Sequence, residues 1–210
     1  MDRLKTTLLA ATCLAIAAVA PAHAGQVTYS SYSVLNPQNV TLHDANFWTK
    51  DEVVGSGQIT LNATNTPSGI IAAWCVDIAD QLKNSGNFST GTFLDGAVGN
   101  KINALLTHVV PTLATDSASS SALQVAIWKA KYGDDLTVYA PSHVSSLAND
   151  YLSKVDRGTW AADPTMRVAV LAGGGVNQDQ AYMTSVPEPA TMAVVATGLI
   201  GLGLIRRKRA

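Results

Sequence analysis

SSSALQVAIWKAKYG, residues 119–133, has the composition of a helix that stops at Gly133. Asp116 and Ser117 supply N-cap chemistry just ahead of it. From Ala122 to Trp128 the segment is apolar nearly all round, which places that turn in a core rather than on a surface. Gln124 is the one polar side chain of the turn. A buried primary amide costs free energy unless its oxygen and N–H groups find partners.

Other elements surround this helix in sequence. GQVTYSSYSVL (25–35) and GQITLNAT (57–64) read as strands, the first alternating Val27 and Tyr29 with Ser and Thr. SGIIAAWCVDI (68–78) is nearly all apolar, as for a strand buried on both faces. GNKINALLTHVV (99–110) places Ile102, Leu105, Leu106 and Val109 at helical spacing and ends before Pro111. SHVSSLANDYLSKV (142–155) predicts a third helix, and MRVAVLAG (166–173) and QAYMTSV (180–186) predict closing strands. No repeat of solenoid length occurs, and the Ser117–Ser121 run is too short for a linker. The fold class is α+β: a single β-rich exported domain over 25–184 with about three helices, large enough for its own core.

The ends differ in kind from this body. MDRLKTTLLAATCLAIAAVAPAHAG has Arg3 and Lys5, an apolar run from Leu8 to Ala20, and Ala22-His23-Ala24 before Gly25, the layout of a secretory signal peptide over 1–24. Thr12 before Cys13 is too large for a lipoprotein site. Cleavage leaves Cys75 as the one cysteine of the exported protein, so no internal disulfide forms in a compartment that favours them. Between Gly25 and Val186 eight Lys and Arg stand against thirteen Asp and Glu, a net charge of −5, which argues against a nucleic-acid partner.

Residues 185–210 hold Val186, Pro187, Glu188 and Pro189, an apolar run of sixteen residues from Ala190 to Ile205, and the cations Arg206, Arg207, Lys208 and Arg209. As a helix that run spans about 24 Å, short of a ~30 Å hydrocarbon core, with the cations able to snorkel and to stay cytoplasmic. The two prolines keep the junction extended, accessible to a processing enzyme. This layout resembles the PEP-CTERM sorting signal. The resemblance implies recognition by an exosortase, an integral membrane processing enzyme. It also implies transient or retained anchoring in the inner membrane and association with exopolysaccharide and biofilm systems.

The catalytic inventory is thin. His43, His108 and His143 lack metal-ligand spacing, so neither metal nor cofactor is expected. No nucleophile elbow, phosphate loop or dinucleotide fingerprint occurs, and Gly173-Gly174-Gly175 reads as a loop after a strand. Asp134-Asp135 reads as a solvated turn. Cys75 and Gln124 admit two readings: separate core residues, or residues reacted with each other. Trp74-Cys75-Val76 and Leu123-Gln124-Val125-Ala126-Ile127-Trp128 resemble paired motifs of bacterial thioester domains. That resemblance implies a Cys75–Gln124 thioester, shielded by Trp74 and Trp128 and opened once by an amine or hydroxyl on a target. A buried thiol has a raised pKa, and a charged Asp77 nearby opposes ionisation further.

The sequence is read as an envelope or matrix protein rather than an enzyme, with covalent adhesion through the thioester as its mode of action. The alternative is a non-covalent matrix component, and a secreted hydrolase is the poorer option.

Overall fold

The computed structural model describes residues 25–44, 51–113 and 117–186. The expectations for the signal segment 1–24, the cap at Asp116 and the tail 187–210, including Pro187, Glu188, Pro189 and Arg206 to Arg209, lie outside the described residues. Among the described residues no helix is long and apolar enough to cross a membrane.

The domain is α+β. Its elements in chain order are β1 (Gln26–Asp44), β2 (Glu52–Ala63), β3 (Ile70–Cys75), β4 (Gly86–Leu94), α1 (Gly96–Val109), α2 (Ser117–Tyr132), β5 (Leu136–Tyr139), α3 (Ser142–Asp156), β6 (Met166–Ala172) and β7 (Gln180–Ser185). All pairings are antiparallel. The ladder runs β2-β3-β7-β6-β4-β1 and closes through β1 with β2. Closure removes most of the open strand edges that would otherwise invite pairing with other chains. The long β1 makes this possible. Gln26–Tyr29 pairs with β4, the stretch from Tyr29 to Leu42 pairs with β2, and Thr41–Asp44 takes β5 on the edge that β4 has left.

α2 is buried from Ala118 through Trp128. It packs on β1 and β2 and is flanked by α1 and α3. Leu123 and Ile127 join Leu105, Leu106, Val144, Leu61 and Leu171 in one core. Burying each such side chain contributes about 1.5–3 kcal/mol. Gly133 ends the helix in a left-handed conformation, φ 61°, which a residue without Cβ adopts at no steric cost.

Three strand expectations need correction. β1 and β2 extend well beyond 25–35 and 57–64. The polar continuation at Asn36–Asn39 hid the second half of β1, which bulges between Leu35 and Gln38 and resumes. β4 and β5 lie in segments where the sequence predicts no element. β4 carries Gly86 and Gly91 and shifts register between Ser89 and Thr92, which breaks the alternation, and β5 has only four residues. β3 is buried on both faces only at Ala73, Trp74 and Cys75; Ile70 is 54% exposed, because the start of the strand has β2 alone beside it.

Candidate functional site

α2 carries a polar strip on one face of its buried stretch. Ser120, Ser121, Gln124 and Trp128 fall close to one side of the helix by their spacing. The Ser120 hydroxyl donates to the Leu35 carbonyl at 3.0 Å and accepts the Gln58 N–H at 2.7 Å. The Ser121 hydroxyl donates to the Ser56 carbonyl at 2.7 Å and accepts the Gln38 N–H at 3.1 Å. These backbone groups sit at the bulge of β1 and opposite it on β2. The helix thus satisfies polar groups that the irregular ladder leaves behind. Gly57 permits the close approach: a Cβ there would stand 2.7 Å from the Leu35 oxygen and 3.3 Å from the Ser120 hydroxyl.

One turn further along, Gln124 meets Cys75. The Cys75 N–H donates to Gln124 Oε1 at 3.0 Å, and Gln124 Nε2 donates to the Cys75 carbonyl at 2.8 Å. Gln124 is 1% exposed and Cys75 3%. The reason lies in the register. β2 and β3 pair as Ile59 with Ala73, and two steps on, Gly57 would face Cys75. The recorded pairing stops before that point, where Ser120 and Ser121 hold the β2 backbone. A primary amide has one acceptor and one donor in the arrangement of a peptide unit, so Gln124 occupies the place of the missing strand residue. On the other edge of β3, Cys75 lies opposite Gln180 of β7, and the Val76 N–H donates to the Asp179 carbonyl at 3.0 Å.

The Cys75 thiol donates to the Asp77 carbonyl at 2.9 Å. Burial pushes its pKa from an ordinary 9.0 up to about 12. The Trp128 indole N–H lies against the sulfur and works in the opposite direction. This N–H has no well-aligned hydrogen-bond acceptor among the described residues. The Asp77 charge raises the thiol further, as the sequence suggested, and the Lys131 charge partly offsets it. Lys131 Nζ and the Tyr132 hydroxyl both donate to the Val76 carbonyl, and the Tyr132 hydroxyl accepts the Ile78 N–H at 3.3 Å. Residues 75–78 are therefore pinned along the second half of α2.

Cys75, Gln124 and Trp128 line a cavity of about 440 Å³. Its walls include Val34, Leu42, Ile59 and Ile78, with Glu52, Asp80 and Gln178 as polar members. Trp74, grouped with Trp128 as a shield in the sequence reading, lines a different cleft with Ile71, Leu106, Tyr182 and Met183. Adjacent strand residues face opposite ways, so Trp74 and Cys75 cannot both look into one cavity. The structure thus brings together Cys75, Gln124 and Trp128, and leaves Trp74 behind the strand. Among the described residues no three His, Cys, Asp or Glu side chains gather as a metal site.

The sequence reading missed Ser120, Ser121, Lys131, Tyr132 and Gln180. A signal existed for the serines: they stand one helical turn before Gln124 on the same face. Gln180 had none, since its place opposite Cys75 depends on pairing between distant strands. Of the sorting residues, Val186 alone is described. It follows β7, which ends at Ser185, and its N–H donates to the Thr165 carbonyl at 2.8 Å.

No curated protein sequence matches the chain. Among solved structures, the N-terminal thioester domain of a surface protein from Clostridium perfringens is similar, with a TM-score of 0.45 and 10% identity, over 70% of this chain and 99% of that one. Residues 185–209 match the PEP-CTERM protein-sorting motif. That motif implies an exported protein, sorted to the cell envelope through its C-terminus by an exosortase, a membrane enzyme.

Proposed function

We propose that the exported domain forms a thioester between Cys75 and Gln124 and uses it once, to attach covalently to an amine or hydroxyl on a surface or matrix target. The observation that carries this reading is the double hydrogen bond between the Gln124 amide and the Cys75 backbone. It holds the acyl carbon beside the only cysteine left after export, and converts an encounter into a fixed geometry.

The chemistry balances without a cofactor. The Cys75 sulfur attacks the side-chain carbonyl carbon of Gln124. Negative charge develops on Oε1, which already accepts the Cys75 N–H, so the backbone acts as an oxyanion donor. The C–N bond then breaks, and nitrogen leaves as ammonia with the proton from the thiol. The reaction needs a thiolate, and a thiol at about 12 supplies very little at neutral pH, so closure is slow. Trp128 and Lys131 favour the charged sulfur in that step. The target nucleophile later attacks the same carbon, its proton ends on sulfur, and the target remains on the Gln124 acyl group. Each molecule acts once, which makes it a covalent adhesin and not an enzyme.

The test is the intact mass of the purified chain. The thioester form weighs one ammonia less than its sequence, and methylamine adds one methylamine while exposing a titratable thiol. Cys75→Ala abolishes both changes.

The saturated pairing of Gln124 and the hydrogen-bonded thiol also suit a second reading, a non-covalent matrix protein in which Gln124 only completes the ladder. A full sequence mass and no response to methylamine would establish that reading in place of the first.

A further inference from the structure

Gln180 is a buried amide that the reaction above does not use. It is 0% exposed and stands opposite Cys75 in the β3–β7 pairing. Side chains of such a pair lie on the same face, with Cβ atoms about 5 Å apart. Its Nε2 donates to the Gln178 carbonyl at 3.1 Å and to Gln178 Oε1 at 3.2 Å. Two acceptors around one end fix which end is nitrogen, because the reversed amide would set oxygen against oxygen. Oε1 is therefore the free end, and it has no hydrogen-bond partner among the described residues. Gln178, which anchors it, lines the same cavity as Cys75, Gln124 and Trp128. A buried acceptor without a partner calls for a tenant that brings a donor.

We infer that Gln180 is a positioning residue for the nitrogen that leaves or enters at the Gln124 acyl carbon: its Oε1 accepts an N–H of that nitrogen beside Cys75. The inference rests on the thioester reading. On closure the group held is the departing ammonia. On opening it is a primary amine, which has two N–H bonds. One proton passes to the Cys75 sulfur as the C–S bond breaks, and the other N–H stays on Gln180 Oε1 and directs the nitrogen lone pair to the carbon. An amide is too weak a base to take a proton, so Gln180 orients the nucleophile and does not activate it. A thiolate nucleophile brings no N–H and gains nothing from this oxygen.

The test compares wild type with Gln180→Met, which keeps the length and burial of the side chain without the acceptor. The full-length chain is purified in detergent, and the ammonia deficit is confirmed by mass. Opening is then followed separately with methylamine and with a small thiol. Methylamine opening is expected to slow about three- to tenfold in Gln180→Met, the scale of one hydrogen bond, while thiol opening keeps its rate. A parallel loss of both rates, or no loss of either, overturns the role and leaves Gln180 Oε1 as the seat of a structural water. A wild-type chain without the ammonia deficit removes the thioester reading itself, and this inference with it. Should Gln180→Met fail to fold, judged by its thermal transition, Gln178→Ala loosens the same amide from one side, and the same split between methylamine and thiol is required of it.

Discussion

Trp74 and Cys75 are neighbours on β3 and almost equally buried, yet they live in different surroundings. On the Cys75 side stand an amide, an indole N–H and a polar strip drawn from one helix. On the Trp74 side lies a cleft of Ile71, Leu106, Tyr182 and Met183. Neither indole N–H has a well-aligned acceptor among the described residues, but that of Trp128 lies against the Cys75 sulfur, so a poorly paired donor alone does not mark a reactive place. What distinguishes the Cys75 side is that a side-chain amide, a thiol and an indole N–H are held there together, the groups the proposed thioester would use. One residue of strand alternation separates packing from chemistry.

That contrast can be broken most severely at Gln124. Gln124→Leu keeps the volume but strips partners from the buried Cys75 N–H and carbonyl. We expect a stability loss of about 2–5 kcal/mol in urea unfolding, together with loss of the ammonia deficit. A variant as stable as wild type would mean that the backbone of β3 finds partners elsewhere.

The thiol itself gives a smaller effect of defined sign. With its thiol free, Cys75 is held by burial at a pKa of about 12 in the folded chain, against 9.0 ordinarily. Between those values the unfolded chain has released the proton that the folded chain still holds. Stability therefore falls as pH rises through this window, by up to ~1.4 kcal/mol per pH unit, and is unaffected by this group below it. Cys75→Ala should lack this component. Urea unfolding of the two forms at several alkaline pH values measures the difference, and equal slopes would place the thiol in a wetter site than the structure has it.

The subtlest comparison pits the two tryptophans against each other. Trp128→Phe removes the N–H that favours a charged sulfur, and should slow thioester formation about three- to tenfold. Trp74→Phe should alter stability alone and leave that rate unchanged. Mass spectrometry of freshly folded protein over time reads both. Equal slowing would return Trp74 to the shielding role that its place in the motif first suggested.

Much was legible from the chain alone because it is local. The all-apolar turn of α2, its stop at Gly133 and the lone cysteine in an apolar strand can be read in a window of a few residues. The PEP-CTERM motif is a linear pattern of the same kind. Local periodicity also placed α1, α3, β6 and β7 within a few residues of their ends. It failed at β4, where glycines and a bulge break the alternation, and at the second half of β1, where polar residues continue a strand.

What only the tertiary structure decided depends on register between distant segments. Gln124 reaches Cys75 across 49 residues because β2 pairs with β3 only as far as Ala73, and the serines of α2 hold the freed backbone. The choice of Trp128 over Trp74, and the place of Gln180 opposite Cys75, follow from the same pairing. A sequence names the side chains that a strand or helix presents. Which of them meet is settled by how the ladders pair and by α2 packing on β1 and β2, since a shift of one residue in any ladder would turn each side chain to the other face.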